Sequence, residues 1–310
     1  MELITPVIIG ANGWLGHVAR QLLKQHNCYS SPIVFGSTAS TIYRDGTKIY
    51  PLSLAGDILS SHSPPSQFVF LNFAYLTKDK VDTQQHGEYQ RLATILNKSI
   101  ADLVMNVKPL SFLFMSSGAA SLVENNQAET AEMRIYGEQK LSDEIFFGDI
   151  CNRNNVKFLA PRLYSIGGPF VNKVRLYALS DFILQGLETN NIVIKAQKPV
   201  YRSYCHVYDL MNVLLHEMRV QDELPVSPTL EIGGDEVVEM ADLAKNVASV
   251  LSIPPQNICR LAFDRDLPAD LYLANHKNFN ELATKHNIVK HGLTKTISDT
   301  VDYLRQQKKA

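Results

Sequence analysis

Three residues of the chain have the types and spacing needed to move a proton on a substrate oxygen. Tyr136 and Lys140 are four residues apart in the segment Tyr-Gly-Glu-Gln-Lys, so on a helix both side chains share one face. An ammonium near a phenol favours the phenolate, which makes Tyr136 a candidate general acid or base. Ser117 ends an earlier apolar stretch and is the candidate hydrogen-bond partner of the same oxygen, with Ser116 as its nearest rival.

A second group has the spacing of a loop that binds a pyrophosphate. The first apolar stretch runs into Gly-Ala-Asn-Gly-Trp-Leu-Gly. Its first glycine permits a tight turn, its second lets backbone N–H groups approach the anion at a helix N-terminus, and its third lets that helix pack against the strand. Trp14 either stacks on the cofactor or covers the start of the helix. The predicted dinucleotide site comprises Gly10, Asn12, Gly13, Trp14, Leu15 and Gly16.

The elements that must position these residues alternate along the chain. Near-continuous apolar stretches, typical of strands covered on both faces, lie at 6–10, 32–36, 68–73, 112–116 and 156–160. Segments with helical periodicity lie between them, at 14–25, 88–106 and 131–154. The alternation predicts an α/β fold with a Rossmann-type, doubly wound, mostly parallel sheet.

The character of the sequence changes after Pro161, where a Gly-Gly-Pro turn precedes further helices and a short strand. Because 310 residues exceed the usual size of one compact core, we expect a second lobe. The prediction is a dinucleotide-binding domain over residues 1–165, with a return around 200–219, and a smaller C-terminal lobe mainly over 166–310.

Composition argues against several classes of function. The net charge is -1 without long runs of Lys or Arg, so neither nucleic acid nor an anionic membrane is an expected partner. The four cysteines lie far apart without metal-ligand spacing, which argues against zinc and disulfides and suits a reducing compartment. There is no signal-peptide pattern, and no stretch reaches the roughly 18 apolar residues of a membrane span. We therefore expect a cytoplasmic protein without a metal site.

The end of the second strand bears on the choice between NAD and NADP. An acidic side chain there usually takes the ribose hydroxyls of NAD. Here Gly36 is followed by Ser37 and Thr38, so a 2′-phosphate would meet no repulsion and NADP is favoured over NAD. Arg44 is a candidate partner for that phosphate, and the alternative is a solvated loop residue.

Together these motifs resemble the extended short-chain dehydrogenases/reductases, specifically the nucleotide-sugar epimerases, dehydratases and reductases. The resemblance spans nearly the whole chain through GANGWLG, LNFAYLTK at 71–78, FMSSGA, YGEQK, PRLYSIGGP at 161–169, YRSYCHVYDL at 201–210 and HGLTKTISDTVDYL. It implies that Phe73 and Ala74 line the cofactor site and that Ser165 and Arg202 contact the sugar nucleotide, Arg202 through its diphosphate. It also implies a substrate-binding role for the smaller lobe and a homodimer formed by the helices at 88–106 and 131–154.

Departures from the family pattern narrow the expected reaction. Ser165 stands where a substrate-binding Asn is common, and Gly118, Ala119 and Ala120 replace the acidic residues that 4,6-dehydratases carry after the serine strand. Because eliminating water needs extra acid and base groups, we do not expect dehydration. The resemblance instead implies hydride transfer at one carbon, C4 of the sugar, with Tyr136 moving the proton. Tyr136 and Lys140 would also line the cofactor site, Lys140 by holding the nicotinamide ribose.

Three functions stay open at this point. The favoured one is a nucleotide-sugar 4-keto reductase of surface-polysaccharide or deoxysugar biosynthesis that uses exchangeable NADPH. A nucleotide-sugar 4-epimerase with tightly bound NAD would use the same residues. The alternative from another class is a non-catalytic NAD(P)-binding sensor or scaffold; such proteins usually lose the tyrosine or the lysine, and this chain retains both.

Overall fold

The computed structural model describes residues 4–36, 40–42, 46–62, 67–76, 81, 86–220 and 230–308. The chain divides into two compact units. The first comprises Met1–Leu163 and Leu214–Leu230, and the second comprises Tyr164–Val213 and Glu231–Ala310. The sequence prediction set the boundary at residue 165 and the return at 200–219.

The first unit is built on a seven-stranded sheet with helices on it. Its described strands are β1 (Thr5–Ile9), β2 (Ile33–Gly36), β3 (Thr41–Ile42), β4 (Lys48–Pro51), β5 (Phe68–Asn72), β6 (Ser111–Phe114), β7 (Ser116–Ser117), β8 (Lys157–Leu159) and β9 (Arg162–Leu163). Its helices are α1 (Trp14–Leu23), α2 (Ala55–Ser60), α3 (His86–Val107), α4 (Gly118–Glu124) and α5 (Ala131–Arg153). Strand β7 pairs in parallel with β9, outside the large sheet.

The strand order shows where this sheet can bind a cofactor. The order is β3-β4-β2-β1-β5-β6-β8, and all pairings are parallel except that of β3 with β4. The chain moves outward from β1 to β2 and β4 and then crosses to β5 on the other side of β1. In doubly wound sheets ligands bind at the carboxyl ends of the strands where this direction reverses. The topology confirms the predicted Rossmann-type fold and directs attention to the loops after β1 and β5.

The burial of the central strands explains why their apolar sequence pattern predicted them. Strands β1, β5 and β6 consist entirely of buried residues, so helices and loops cover both faces. Phe112 and Phe114 of β6 each pack on Phe147 of α5, with ring centroids 5.1 Å apart. Burying one such ring contributes roughly 1.5–3 kcal/mol. These contacts fix α5 on the sheet, and α5 carries Tyr136 and Lys140.

The second unit is arranged around one long strand. Its strands are β10 (Ser165–Gly167), β11 (Ile192–Ile194), β12 (Val200–His206), β13 (Glu231–Ile232), β14 (Val237–Glu239), β15 (Ile258–Arg260) and β16 (Asp270–Tyr272). Its helices are α6 (Ala178–Thr189), α7 (Val207–Glu217), α8 (Met240–Leu251), α9 (Lys277–Lys285) and α10 (Leu293–Gln307), and α7 crosses the division after Val213. Strand β12 pairs in parallel with β10 and β16 and antiparallel with β14. Over the described part of the chain, no helix is long and apolar enough to cross a bilayer.

Candidate active site

The loop after β1 has the backbone of a pyrophosphate-binding turn. Gly10 has a φ of +87°, which side chains rarely tolerate, and a Cβ there would lie 2.5 Å from the backbone nitrogen of Ala74. Gly13 is the N-cap residue of α1, and a Cβ at Gly16 would lie 2.8 Å from the Cα of Ala11. The positive end of α1 therefore adjoins a loop in which the first and third glycines have steric reasons to be glycine.

Two further predicted cofactor residues lie beside this loop. The N–H of Phe73 donates to the carbonyl oxygen of Ile9 at 2.8 Å, which holds the segment after β5 against the end of β1. The N–H of Ala74 donates to the Asn72 side-chain oxygen at 3.0 Å. The structure thus brings Phe73, Ala74 and the glycine loop together.

The first turn of α1 contains the other predicted loop residues. Trp14 is 8 % exposed and Leu15 is half-buried. Burial of Trp14 is expected of a residue that covers the start of the helix. The exposed Asn12 lies beside the end of β2, where a Cβ at Gly36 would be 3.1 Å from its side-chain nitrogen.

The residues that the sequence analysis used to choose between NAD and NADP are Ser37, Thr38 and Arg44. All three lie outside the described residues. The preference for NADP therefore stays a prediction.

Ser117 joins β7 to α4. It is the N-cap of α4, and its Oγ accepts a hydrogen bond from the N–H of Ala119 at 3.3 Å. The neighbouring Ser116 donates a short hydrogen bond to the carboxylate of Glu144. Because this bond commits Ser116 to Glu144, Ser117 is the better candidate for contact with a substrate oxygen.

Tyr136 and Lys140 lie one turn apart on α5, as their spacing predicted. Between them, Gly137 allows α5 to touch the first turn of α4, since a Cβ there would lie 2.6 Å from a methyl of Val123 and 2.9 Å from the carbonyl carbon of Ala119. The half-buried Tyr136 is therefore next to the contact between α5 and the helix that begins after Ser117.

Lys140 is surrounded by aromatic rings. Its Nζ donates to the carbonyl oxygen of Met115 at 2.7 Å and lies 3.2 Å from the ring centroid of Tyr75. The rings of Phe114 and Tyr136 are 4.5 and 6.0 Å away. The side chain is 2 % exposed, and this burial lowers the pKa of Lys140 to about 7. The amine can therefore change its charge near neutral pH.

Two residues that the sequence analysis missed complete this group. The hydroxyl of Tyr75 donates to Oδ2 of Asp143 at 2.7 Å, and Gln139 donates to Oδ1 at 2.8 Å. Burial raises the pKa of the Tyr75 hydroxyl, with a further contribution from Asp143, so the phenol stays protonated. The available signals were an aromatic residue just after the β5 strand and a carboxylate three residues after Lys140.

An ion-pair network centred on the buried Arg162 supports the turn at Ser117. Arg162 of β9 donates to Glu144 of α5 at 2.7 Å, to Ser121 of α4 at 3.1 Å, and to Glu124 in a short bond. Burial lowers the pKa of Arg162, but the hydrogen bonds that it donates to Glu144 and Glu124 outweigh this effect and raise the pKa. The network ties together α4, α5 and β9, the elements around Ser117.

The two predicted substrate residues lie on adjacent strands of the second unit. Ser165 of β10 is in register with Tyr204 of β12, and Arg202 precedes Tyr204 by two residues, so all three share one face. The guanidinium of Arg202 donates to both oxygens of Asp270 on β16, at 3.0 and 2.9 Å. No local pattern in the sequence indicates this bidentate pair. A diphosphate would compete with Asp270 for the same donors.

A histidine and aspartate cluster lies near the start of α7 in the second unit. One potential ligand atom from each of His206, Asp209 and His291 lies within 4.8 Å of the others. Nδ1 of His206 accepts the N–H of Tyr208 at 3.1 Å, which leaves Nε2 to donate to Asp299 at 3.2 Å. Asp209 binds both the N–H and the ring of His291. Since these bonds use both ring nitrogens of His206 and both oxygens of Asp209, we interpret the group as a hydrogen-bonded cluster.

Comparison with known sequences identifies the family of the chain. The sequence model of the NAD dependent epimerase/dehydratase family matches residues 7–233. UDP-glucuronic acid decarboxylase 5 of Arabidopsis thaliana is 25% identical over 117 residues, which are 38% of this chain and 33% of that protein. The match thus spans about a third of that relative's length.

Solved structures share the fold over 97–98% of the chain. UDP-glucose 4-epimerase of Thermotoga maritima, solved with UDP-glucose, superposes with a TM-score of 0.75 at 16% identity, covering 98% of this chain and 99% of that one. UDP-glucuronic acid 4-epimerase of Bacillus cereus, solved with NAD, gives 0.72 at 14%, covering 97% and 96%. Identities this low show the fold alone. With the family match over residues 7–233, which includes the glycine loop, Ser117, Tyr136 and Lys140, the chain belongs to the NAD dependent epimerase/dehydratase family.

Proposed function

We propose that this protein transfers hydride at one carbon, C4, of a nucleotide-activated sugar, and that it acts as an NAD(P)-dependent 4-keto sugar reductase. The observation that carries the proposal is the position of Tyr136 and the buried Lys140 on one face of α5, next to the turn that begins at Ser117. A phenol beside a titratable ammonium is suited to proton transfer at a carbonyl oxygen.

The first unit fits a dinucleotide at the ends of β1 and β5. At Gly10 and Gly16 an added Cβ would meet backbone atoms, so the loop stays free of side chains that would block an anion. The residues that would hold the cofactor are Gly10, Asn12, Gly13, Trp14, Leu15, Gly16, Phe73, Ala74, Tyr136 and Lys140, with Ser37 and Thr38 taking the ribose phosphate of NADP. Bound NAD(P)H supplies the hydride.

The chain's own residues handle the proton. Tyr136 donates its phenolic proton to the ketone oxygen, which becomes the hydroxyl of the product. Ser117 donates a hydrogen bond to the same oxygen and orients it. Lys140 stabilises the phenolate that remains on Tyr136, and solvent then returns the proton.

The start of α4 favours reduction or epimerisation over dehydration. Gly118, Ala119 and Ala120 are buried and carry no acid or base. Elimination of water requires such groups in addition to the tyrosine. The 4-epimerase is the second candidate function, because it would use the same three side chains with NAD held through the catalytic cycle.

Substrate binding, assembly and location belong to the same proposal. Ser165 and Arg202 bind the sugar nucleotide, Arg202 after exchanging Asp270 for the diphosphate.

Helices α3 and α5 pair with those of a second copy, which would cover their exposed apolar side chains: Leu92, Ile95, Met105, Ile145 and Phe146. The four cysteines are free thiols, as suits the reducing cytoplasm.

The test measures NADPH and NADH oxidation by purified protein with UDP- and dTDP-linked 4-keto-6-deoxy sugars. We expect turnover with at least one sugar, and Tyr136→Phe should lower kcat by about 10²–10⁴-fold. Tyr50→Phe is the matched control, because Tyr50 lies on β4 and packs on Phe35. No oxidation with any of these sugars would contradict the reductase.

Other outcomes identify the alternatives. Retained NAD⁺ with interconversion of 4-epimers and no net cofactor consumption would identify the epimerase. Cofactor binding without turnover, with Tyr136→Phe unchanged in cells, would identify the sensor or scaffold. A wild-type protein that is monomeric by light scattering would contradict the dimer, whereas a dimer that Ile145→Asp dissociates would support it.

A further inference from the structure

Tyr75 makes three contacts that converge on the proposed catalytic pair. The first is between its ring and Lys140, whose Nζ lies 3.2 Å from the ring centroid. Lys140 is almost completely buried, so the negative face of the ring replaces part of the lost hydration of the ammonium. Such contacts are strongest where water is excluded.

The second contact is between the Tyr75 hydroxyl and Asp143. That hydroxyl and the amide of Gln139 occupy the two carboxylate oxygens of Asp143. The carboxylate therefore stays near Lys140 while the ammonium donates to the carbonyl oxygen of Met115. In this arrangement Asp143 favours the charge on Lys140 through space.

The third contact is between the rings of Tyr75 and Tyr136, which meet edge to face with centroids 6.0 Å apart. The backbone just after Tyr75 is held by the hydroxyl of Tyr89 on α3, which donates to the carbonyl oxygen of Leu76 at 2.8 Å. Tyr75 is thus anchored on one side and touches both Tyr136 and Lys140 on the other.

From these contacts we infer that Tyr75 is a positioning residue, which favours the charged form of Lys140 and holds its amine next to Tyr136. The role rests on the proposed function, because it acts through Tyr136 and Lys140. Neither the spacing of the glycine loop nor that of the Tyr136 motif predicts this role for Tyr75. In the family segment that follows β5, this chain thus uses an aromatic side chain to control the charge on the lysine.

The titratable groups around Lys140 define how its charge responds to pH. Burial lowers the pKa of Lys140 to about 7, and Asp143 and Glu144 on α5 oppose this shift in part. Tyr75 and Tyr136 face the amine with their rings, and Tyr89 contributes to the raised pKa of the Tyr75 hydroxyl. Loss of the Tyr75 ring removes stabilisation from the charged form only, so the pKa of Lys140 falls further.

The experiment compares three substitutions in the full-length protein. Tyr75→Leu removes ring and hydroxyl, Tyr75→Phe keeps the ring, and Phe158→Leu is the control. Phe158 is a half-buried ring of the same unit that packs on Phe112. The readouts are kcat and KM across pH, and the ¹³Cε chemical-shift titration of Lys140, assigned with Lys140→Arg.

For Tyr75→Leu we expect the Lys140 titration to move down by about one pH unit. Activity that requires the ammonium then falls about tenfold at about pH 8 but only about twofold at about pH 6, with KM for the sugar little changed. Tyr75→Phe should shift the titration by less than about half a unit, and Phe158→Leu should leave it in place. If Tyr75→Leu does not fold, Tyr75→Met fills more of the space and carries the same expectation.

An unchanged Lys140 titration in Tyr75→Leu would overturn the inference, as would a loss of kcat that is the same at every pH. A shift in Tyr75→Phe as large as that in Tyr75→Leu would also overturn it, because the ring would then have no part. The chemical-shift titration does not depend on turnover. A shifted titration in a protein that reduces no sugar would therefore leave the role of Tyr75 standing and contradict the proposed function alone.

Discussion

Gly137→Ala should lower the activity that depends on Tyr136 much more than it lowers the stability of the protein. Gly137 is inside α5 and follows Tyr136 directly. Replacing a helix-interior glycine with alanine stabilises a helix by roughly 0.8–1 kcal/mol when the new methyl group has space. At Gly137 it has none, because the Cβ would lie 2.9 Å from the carbonyl carbon of Ala119 and 2.6 Å from the Val123 methyl group.

The magnitude follows from the overlap. Ordinary contact begins at 3.4 Å, so α5 and α4 must separate by at least roughly half an ångström at the Ala119 carbon, and by more at the Ala119 carbonyl oxygen, which lies closer still to the new methyl group. Overpacking of this kind costs about 1–3 kcal/mol, which the helix propensity of alanine offsets in part, leaving a net loss of about 0–2 kcal/mol. The displaced Tyr136 affects activity more, since misplacing a reacting group by about 1 Å lowers the rate by about 10²-fold.

Gly148→Ala is the matched control, because Gly148 is in the same helix and its Cβ would meet only Phe158, at 3.6 Å. Urea unfolding and kcat at saturating substrate should be measured for both variants. We expect Gly148→Ala to gain stability and keep its activity, and Gly137→Ala to lose activity by at least about tenfold. A Gly137→Ala protein with full activity would refute the reasoning that the contact between α5 and α4 positions Tyr136.

Three further perturbations test other parts of the structure. Asp270→Asn should tighten binding of UDP by about 3–10-fold in calorimetry, because it frees the Arg202 fork for phosphate, and unchanged affinity would contradict a competition between Asp270 and the ligand. Burial, and then His291, lower the pKa of His206, so the unfolded chain takes up a proton on this side chain more readily than the folded protein does. The contribution of His206 to stability should therefore be fully present above about pH 6.5 and fall as the pH drops below that value. In thermal melts, His206→Gln should reduce this loss of stability at low pH. Arg162→Met should cost about 3 kcal/mol in urea unfolding, since it leaves the nearly buried carboxylate of Glu144 without its cation while Glu124 stays exposed to water, and a loss below about 1 kcal/mol would show that the network contributes little.

The sequence predicted those parts of the fold that are specified by local pattern. Strands β1, β5 and β6 are buried on both faces, and their continuous apolar stretches identified them. The short strand β3 has two exposed residues, and α4 has seven residues that begin Gly-Ala-Ala, so neither has a periodicity that sequence reasoning can detect. The capping serine at 117 was the one local signal for α4.

The same distinction holds within the candidate site. The glycine loop and the pair Tyr136 and Lys140 are local motifs, and their spacing was sufficient to predict them. Tyr75 meets Asp143 across 68 residues of chain, and Arg202 meets Asp270 across another 68. Contacts this distant in sequence depend on tertiary packing, which a single sequence without related sequences does not reveal.

Arg162 and Lys140 are both buried cations of the first unit, but their neighbours give them different roles. Arg162 has a structural role and Lys140 a chemical one. Arg162 is paired with Glu124 and Glu144, which keep it charged at any working pH. Lys140 forms no ion pair with a carboxylate in the described part of the chain and lies against an aromatic ring and a carbonyl oxygen, so its charge changes near neutral pH. A permanently charged lysine would hold Tyr136 in one state, whereas a lysine close to its titration point responds to the proton that Tyr136 gains or loses. Tyr75 contributes to that balance, because it favours the ammonium without supplying a counter-ion that would fix it.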